Sequence, residues 1–125
     1  MEPLLIQATD TTPNVSFDAT DGLMEIRGAS FDEDSPDFYE NLILWIAKYR
    51  ERPNSNIVLN LHFKYLNSSS TLCVYELLRE FAEIQSSGCQ LTVNWYYGLE
   101  DEDIKDAGLE YSELLQIPIN VAEAS

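Results

Sequence analysis

Positive charge is scarce in this 125-residue sequence: 7 Lys and Arg and 1 His stand against 22 Asp and Glu, a formal net charge of -15. Such a field repels phosphate backbones and anionic lipid headgroups, which argues against nucleic acid and membranes as partners and points to basic protein surfaces. Cysteine is scarce as well. Cys73 and Cys89 are the only two, and their wide spacing offers neither a disulfide framework nor a zinc site, so both are read as reduced thiols. No apolar run approaches the roughly 20 residues that span a bilayer. The opening MEPLLIQATD has neither the basic nor the apolar region of a signal peptide, and the expected location is the cytoplasm.

Catalytic signatures are missing too. There is no Gly-rich phosphate loop, no His-Glu-x-x-His and no Gly-x-Ser-x-Gly. A calcium loop starting at Asp32 would need Gly and Glu where Asp37 and Ile43 stand; one starting at Asp101 meets Asp106 and Ser112. The acidic runs read instead as solvated faces or as helix N-terminal charge. The lone His62 has no His or Cys partner and no nucleophile spaced to use it. The expectation is a protein that is not an enzyme, with no catalytic residues, no metal and no cofactor.

What the chain does have is a core. Its 45% hydrophobic and 11% aromatic content is that of one globular domain spanning 1–125. Leu4 to Ile6 reads as a short strand. Alternating runs at Val15–Asp18 and Leu23–Arg27, joined by Thr20-Asp21-Gly22, read as a hairpin, because Gly supplies the positive φ of the turn. The period then lengthens. Phe38, Leu42, Trp45, Ile46 and Tyr49 share one helical face, with Ser35 as N-cap and Pro36 at the first helical position. NIVLNLHFKYL alternates, setting Ile57, Leu59, Leu61, Phe63 and Tyr65 on one face and Asn60, His62 and Lys64 on the other. Val74, Leu77, Leu78, Phe81 and Ile84 mark a second helix that stops at Gly88. QLTVNWY is a strand that sends Leu91, Val93 and Trp95 to the core; LEDEDIKDAGLEYSELLQ is a third helix, and IPINVA a last edge strand. The predicted fold is α/β: a mixed sheet with an N-terminal hairpin and about three helices packed mainly on one face.

One segment has more hydroxyls than a turn requires. In YLNSSSTLCVYELLREF, three serines and a threonine stand between the strand and the second helix. Ser, Thr and Asn are the preferred cap and turn residues. A helix N-terminus also offers unpaired N–H groups and the positive end of the dipole, where a phosphate is well received.

That segment resembles the Asn-Thr-Ser-Ser stretch of the SiaC-type bacterial regulatory phosphoproteins. IRGASFDEDSPDFYENLILWIAKY and GCQLTVNWYYGLEDEDIKDAGLEYSELLQIP fit the same family, in the right order over nearly the whole chain. Such proteins are similar to anti-sigma-factor antagonists of the STAS type. The resemblance implies a STAS-like signal-transduction protein that binds and activates a GGDEF-type diguanylate cyclase when unphosphorylated, raising cyclic di-GMP and favouring biofilm growth. It implies a serine/threonine kinase that adds the phosphate and a PP2C-like phosphatase that removes it. The family's acceptor threonine falls on Ser68, after Asn67; Ser69 and Ser70 match the serines that follow and are the alternates. Asn67, Ser68, Ser69, Ser70 and Thr71 are the implied partner-binding segment. This sequence departs from the family in having Ser as acceptor, no basic residue near Thr71 and Leu72, and Ser30-Phe31-Asp32-Glu33 where Ser-Tyr-Pro-Glu is usual. The alternative with the same chemistry is an anti-sigma-factor antagonist in a partner-switching module that controls transcription.

Overall fold

Alternation of apolar and polar side chains builds the sheet, and the computed structural model describes it over residues 1–33 and 35–124. Nine elements follow in order: β1 (Leu4–Ile6), β2 (Asn14–Asp18), β3 (Leu23–Ser30), α1 (Ser35–Tyr49), β4 (Asn56–Leu66), α2 (Ser68–Ser86), β5 (Gln90–Tyr97), α3 (Glu102–Leu115) and β6 (Ile119–Glu123). The strands lie in sequence order, β1 to β6. The first two junctions are antiparallel and the last three parallel. Each parallel step is made by one helix between neighbouring strands, and a constant crossover hand puts all three helices on one face. The expected α/β mixed sheet with an N-terminal hairpin is what forms.

Register turns the alternation into layers. Leu4, Phe17, Met24, Leu59, Val93 and Ile119 lie side by side across all six strands, and Ile6, Val15, Ile26, Leu61, Trp95 and Val121 form a second such row. Both rows face the helices. Between them, on the open face, Asn60, Asn94 and Asn120 are register partners. Their amides link in a ladder, Asn94 Nδ2 donating to Asn60 Oδ1 at 2.8 Å and Asn120 Nδ2 to Asn94 Oδ1 at 3.1 Å. His62 sits on this face too, edge-on to Tyr96. Burial, with Arg27 and Lys64 nearby, lowers its pKa below the ordinary value.

The hairpin turn is anchored as well as tight. Gly22 has φ +73°, and a Cβ there would lie 2.5 Å from the Asn56 carbonyl oxygen. The Gly22 carbonyl in turn accepts from the Val58 N–H at 2.9 Å, so one glycine closes the hairpin and seats β4.

The helices bury the faces their spacing sets. Val74, Leu77, Leu78, Phe81 and Ile84 of α2 are all buried, and the helix gives way at Gly88 with φ +112°. In α1, Tyr39, Leu42, Ile46 and Tyr49 are buried, while Phe38 and Trp45 pack at the core margin. Trp95 is wholly buried. Its ring lies 5.6 Å from that of Phe63 and 5.4 Å from that of Tyr111, and its Nε1 donates to the Ile104 carbonyl at 2.7 Å.

Two local expectations are corrected. Tyr65 does not join the buried face of β4, being 55% exposed. Gly28 pairs with Phe63 but Ala29 with Tyr65, so Lys64 is an extra residue in a β-bulge and the alternation flips after it. Tyr65 instead packs edge-on against Phe31 at 5.5 Å. Ser35 is the first helical residue of α1 rather than its cap; the preceding Asp34 lies outside the described residues.

Gly108 sets a test of this packing. A Cβ on it would meet Trp95 Cδ1 at 2.4 Å. Alanine gains about 1 kcal/mol of helix propensity, whereas overpacking against a fixed core ring costs about 1–3 kcal/mol. Gly108→Ala should therefore lower stability in urea denaturation by up to about 2 kcal/mol, and a raised midpoint would show that Trp95 has room to move.

Candidate functional site

β4 ends at Leu66 and α2 begins at Ser68, so Asn67 alone makes the connection. Its backbone N–H donates to the Ser30 carbonyl at 3.1 Å, tying the end of β4 to the end of β3. Its side chain is the helix cap: Oδ1 accepts from the Ser70 N–H at 2.8 Å. Its carbonyl accepts from both the N–H and the hydroxyl of Thr71, each at 2.9 Å. The backbone N–H groups of Ser68 and Ser69 are left without a protein acceptor among the described residues, at the positive end of a 19-residue helix.

The three serines have different surroundings. Ser68 and Ser69 are exposed. Ser70 is completely buried, and its hydroxyl is the centre of a network that the serine run did not foreshadow. Ser30 Oγ donates to Ser70 Oγ at 2.8 Å. Ser35 Oγ donates to the Asp32 carbonyl at 2.6 Å. Each hydroxyl has one proton, so the two remaining contacts are directed. Tyr39 donates to Ser30 across 2.8 Å, and Ser70 donates to Ser35 across 2.9 Å. The chain Tyr39, Ser30, Ser70, Ser35, Asp32 carbonyl thus runs one way through the junction of β3, α1 and α2. Burial pushes the Tyr39 phenol well above its ordinary pKa, so every member stays neutral at physiological pH.

α3 holds the same turn from the other side. Tyr111 OH donates to the Thr71 carbonyl at 2.6 Å, and burial raises this phenol's pKa as well. Ser68 opens toward a groove of about 430 Å³ between α2 and α3. The stretch Ser30-Phe31-Asp32-Glu33 and the segment Asn67–Thr71, singled out separately in the sequence, are therefore joined through Ser30 and Ser70. The roles of Ser30, Ser35, Tyr39 and Tyr111 were missed. The available signal was weak: a serine at each of two element ends, and tyrosines at helical spacing from them.

The chain as a whole is similar to known proteins. The model of the SiaC family of regulatory phosphoproteins matches residues 6–124, and the chain belongs to that family. It is 25% identical over 121 residues to an uncharacterized protein of Pseudomonas aeruginosa strain UCBPP-PA14, covering 97% of this chain and 96% of that one. The crystal structure of apo-SiaC from Pseudomonas aeruginosa is similar in fold, with a TM-score of 0.84 at 22% identity over 98% of this chain and 99% of that one. SiaC in the crystal structure of the Pseudomonas aeruginosa diguanylate cyclase SiaD with its activator SiaC gives a TM-score of 0.88 at 24% identity, covering 97% and 99%.

The buried and exposed serines should respond differently to truncation. Ser70→Ala leaves the Ser30 hydroxyl without its buried acceptor and should cost about 1–3 kcal/mol in urea denaturation. Asn67→Ala removes the cap and should cost about 1 kcal/mol. Ser68→Ala should stay within about 0.5 kcal/mol of the parent. A Ser70→Ala protein as stable as the Ser68→Ala protein would contradict the directed network.

Proposed function

We propose that this chain is a non-enzymatic activator of a diguanylate cyclase in the cytoplasm, active when unmodified and released by phosphorylation of Ser68. Residues 1–125 act as one regulatory domain, with a serine/threonine kinase and a PP2C-like phosphatase setting its state. The carrying observation is the division of labour within one helical turn: Ser68 is exposed while Ser70 is fully buried and hydrogen-bonded. A kinase can reach Ser68 without opening the fold. A phosphate there lies beside the N–H groups of Ser68 and Ser69 and displaces no buried contact. On Ser70 it would break the hydroxyl chain, and the same reasoning ranks Ser69 second among the acceptors.

The choice of partner is supported by family membership and by the SiaC of Pseudomonas aeruginosa, which is the activator of the cyclase SiaD. A net charge of -15 favours a basic contact surface on the partner. Phosphate adds about -1.5 to -2 charge and considerable bulk to a surface fitted for a neutral hydroxyl.

Cyclic di-GMP production by a GGDEF-type diguanylate cyclase from the same organism, measured with and without this protein, tests the reading. The unmodified protein and Ser68→Ala should activate it alike, because neither has charge at this position. Ser68→Glu should bind about tenfold more weakly, a partial effect, since a carboxylate has about one charge where phosphate has nearly two. A Ser68→Glu protein, or a stoichiometrically phosphorylated one, that activates as well as the parent would overturn the proposal.

A further inference from the structure

With all three helices on one side, the other face of β3–β6 is left uncovered among the described residues. Antiparallel sheets commonly keep one face in water, but parallel strands are nearly always covered on both. Charge marks the same face. Its central row is Leu5, Ser16, Glu25, Asn60, Asn94 and Asn120; Arg27, His62 and Tyr96 lie to one side of it, and Asp18, Leu23 and Val58 to the other. Asp18, Glu25 and Arg27 are the only charged residues in these rows, so the excess acid of a chain with net charge -15 lies elsewhere. A surface depleted of charge and furnished with Tyr and Arg has the composition of an interface centre.

The polar groups of this face suit a cover made of the same groups. The amides of Asn60, Asn94 and Asn120 already bond to one another, so covering them strands few donors or acceptors. Asn60 Nδ2 donates to nothing among the described residues. His62 is held neutral by burial, with Arg27 and Lys64 nearby, and so keeps a ring nitrogen able to accept. Glu25 and Arg27 have no ion-pair partner among the described residues. A two-fold axis in the plane of the interface, crossing the strands at the level of Ile26 and Leu61, would stack each strand antiparallel on its own counterpart. Glu25 of each copy then faces Arg27 of the other, and Asn60 faces His62. Such a contact closes on itself. On the remaining surface two copies of charge -15 repel, and a basic partner finds little on this face to attract it. Six strands about 4.8 Å apart and about five residues of 3.3 Å rise give a face of roughly 500 Å² before side-chain relief is added. That relief brings it near the about 800 Å² per partner of a standard interface.

We propose that this chain forms a two-fold dimer through the open faces of its sheets, with Glu25 and Arg27 pairing across the axis. The dimer does not depend on the cyclase-activator reading. Because the helices cover the opposite face of each sheet, they point outward in both copies. The two Ser68 segments then lie on opposite outer sides, each open to a kinase or a partner.

Sedimentation equilibrium of the full chain is the test. The parent should be half dimeric near about 10 µM, the weak end for an interface of this area. Glu25→Arg sets cations against each other across the axis, and Arg27→Glu sets carboxylates against each other. Each variant by itself should weaken dimerisation at least about tenfold. Neither side chain is buried, so the fold should survive, as circular dichroism will verify. Should either variant misfold, Ala122→Glu, at an exposed position of the same face, is expected to weaken the dimer about threefold. Mixing Glu25→Arg with Arg27→Glu in equal amounts restores both charge pairs, and the mixed dimer should form within about threefold of the parent's affinity. A parent still monomeric at roughly 500 µM would overturn the inference. So would a dimer that neither charge variant weakens, or a mixture of the two that stays monomeric.

Discussion

The Ser30–Ser70 hydrogen bond, 2.8 Å long and wholly buried, fixes how α2 is rotated about its own axis. Successive residues of a helix are about 100° apart, so a residue two positions before Ser70 points roughly the opposite way. Ser68 must then face outward. The same rotation puts Val74, Leu77, Leu78, Phe81 and Ile84 into the core and leaves Leu72 on the surface. The polar contact at the helix start and the apolar stripe along its length demand the same phase, so the junction is specified twice.

This agreement separates a buried structural hydroxyl, that of Ser70, from an exposed one, that of Ser68, within a single helical turn. The buried serine hydroxyls of Ser30, Ser35 and Ser70 and the Tyr39 phenol are neutral and mutually satisfied, which makes them costly to disturb. The exposed Ser68 bears none of that load. A group added to it meets the helix dipole and solvent, not the core. Regulation at such a position leaves the sheet and the helix layer intact and changes only what the surface offers a partner. The acidic surface plays a complementary part, since a charge of -15 selects among partners without shaping the fold.

Much of this was legible in the sequence because it rests on local periodicity. The alternation of NIVLNLHF and QLTVNW, the Asp-Gly turn, and the three-and-four spacing of α2 each specify an element and its buried face. Trp95 went to the core as its neighbours Leu91 and Val93 required. Tyr65 escaped, because a bulge at Lys64 depends on how β3 meets β4 and a single strand's alternation does not record it. The hydroxyl network escaped for a related reason. Ser30, Ser35, Tyr39 and Ser70 meet only through tertiary packing, and three serines in a row look equivalent until the helix phase distinguishes them. The resemblance to the SiaC family put the acceptor on Ser68 with Ser69 and Ser70 as alternates; the packing adds that Ser68 is exposed and Ser70 buried.

The most direct test of this account is to map the phosphate. The protein is incubated with its kinase and ATP under native conditions, digested, and the peptide spanning Asn67–Thr71 is sequenced by tandem mass spectrometry. One phosphate on Ser68, with Ser70 unmodified, is the predicted result. Phosphate on Ser70 in the folded protein would contradict it, because the hydroxyl that holds the junction together would then be the one the kinase uses.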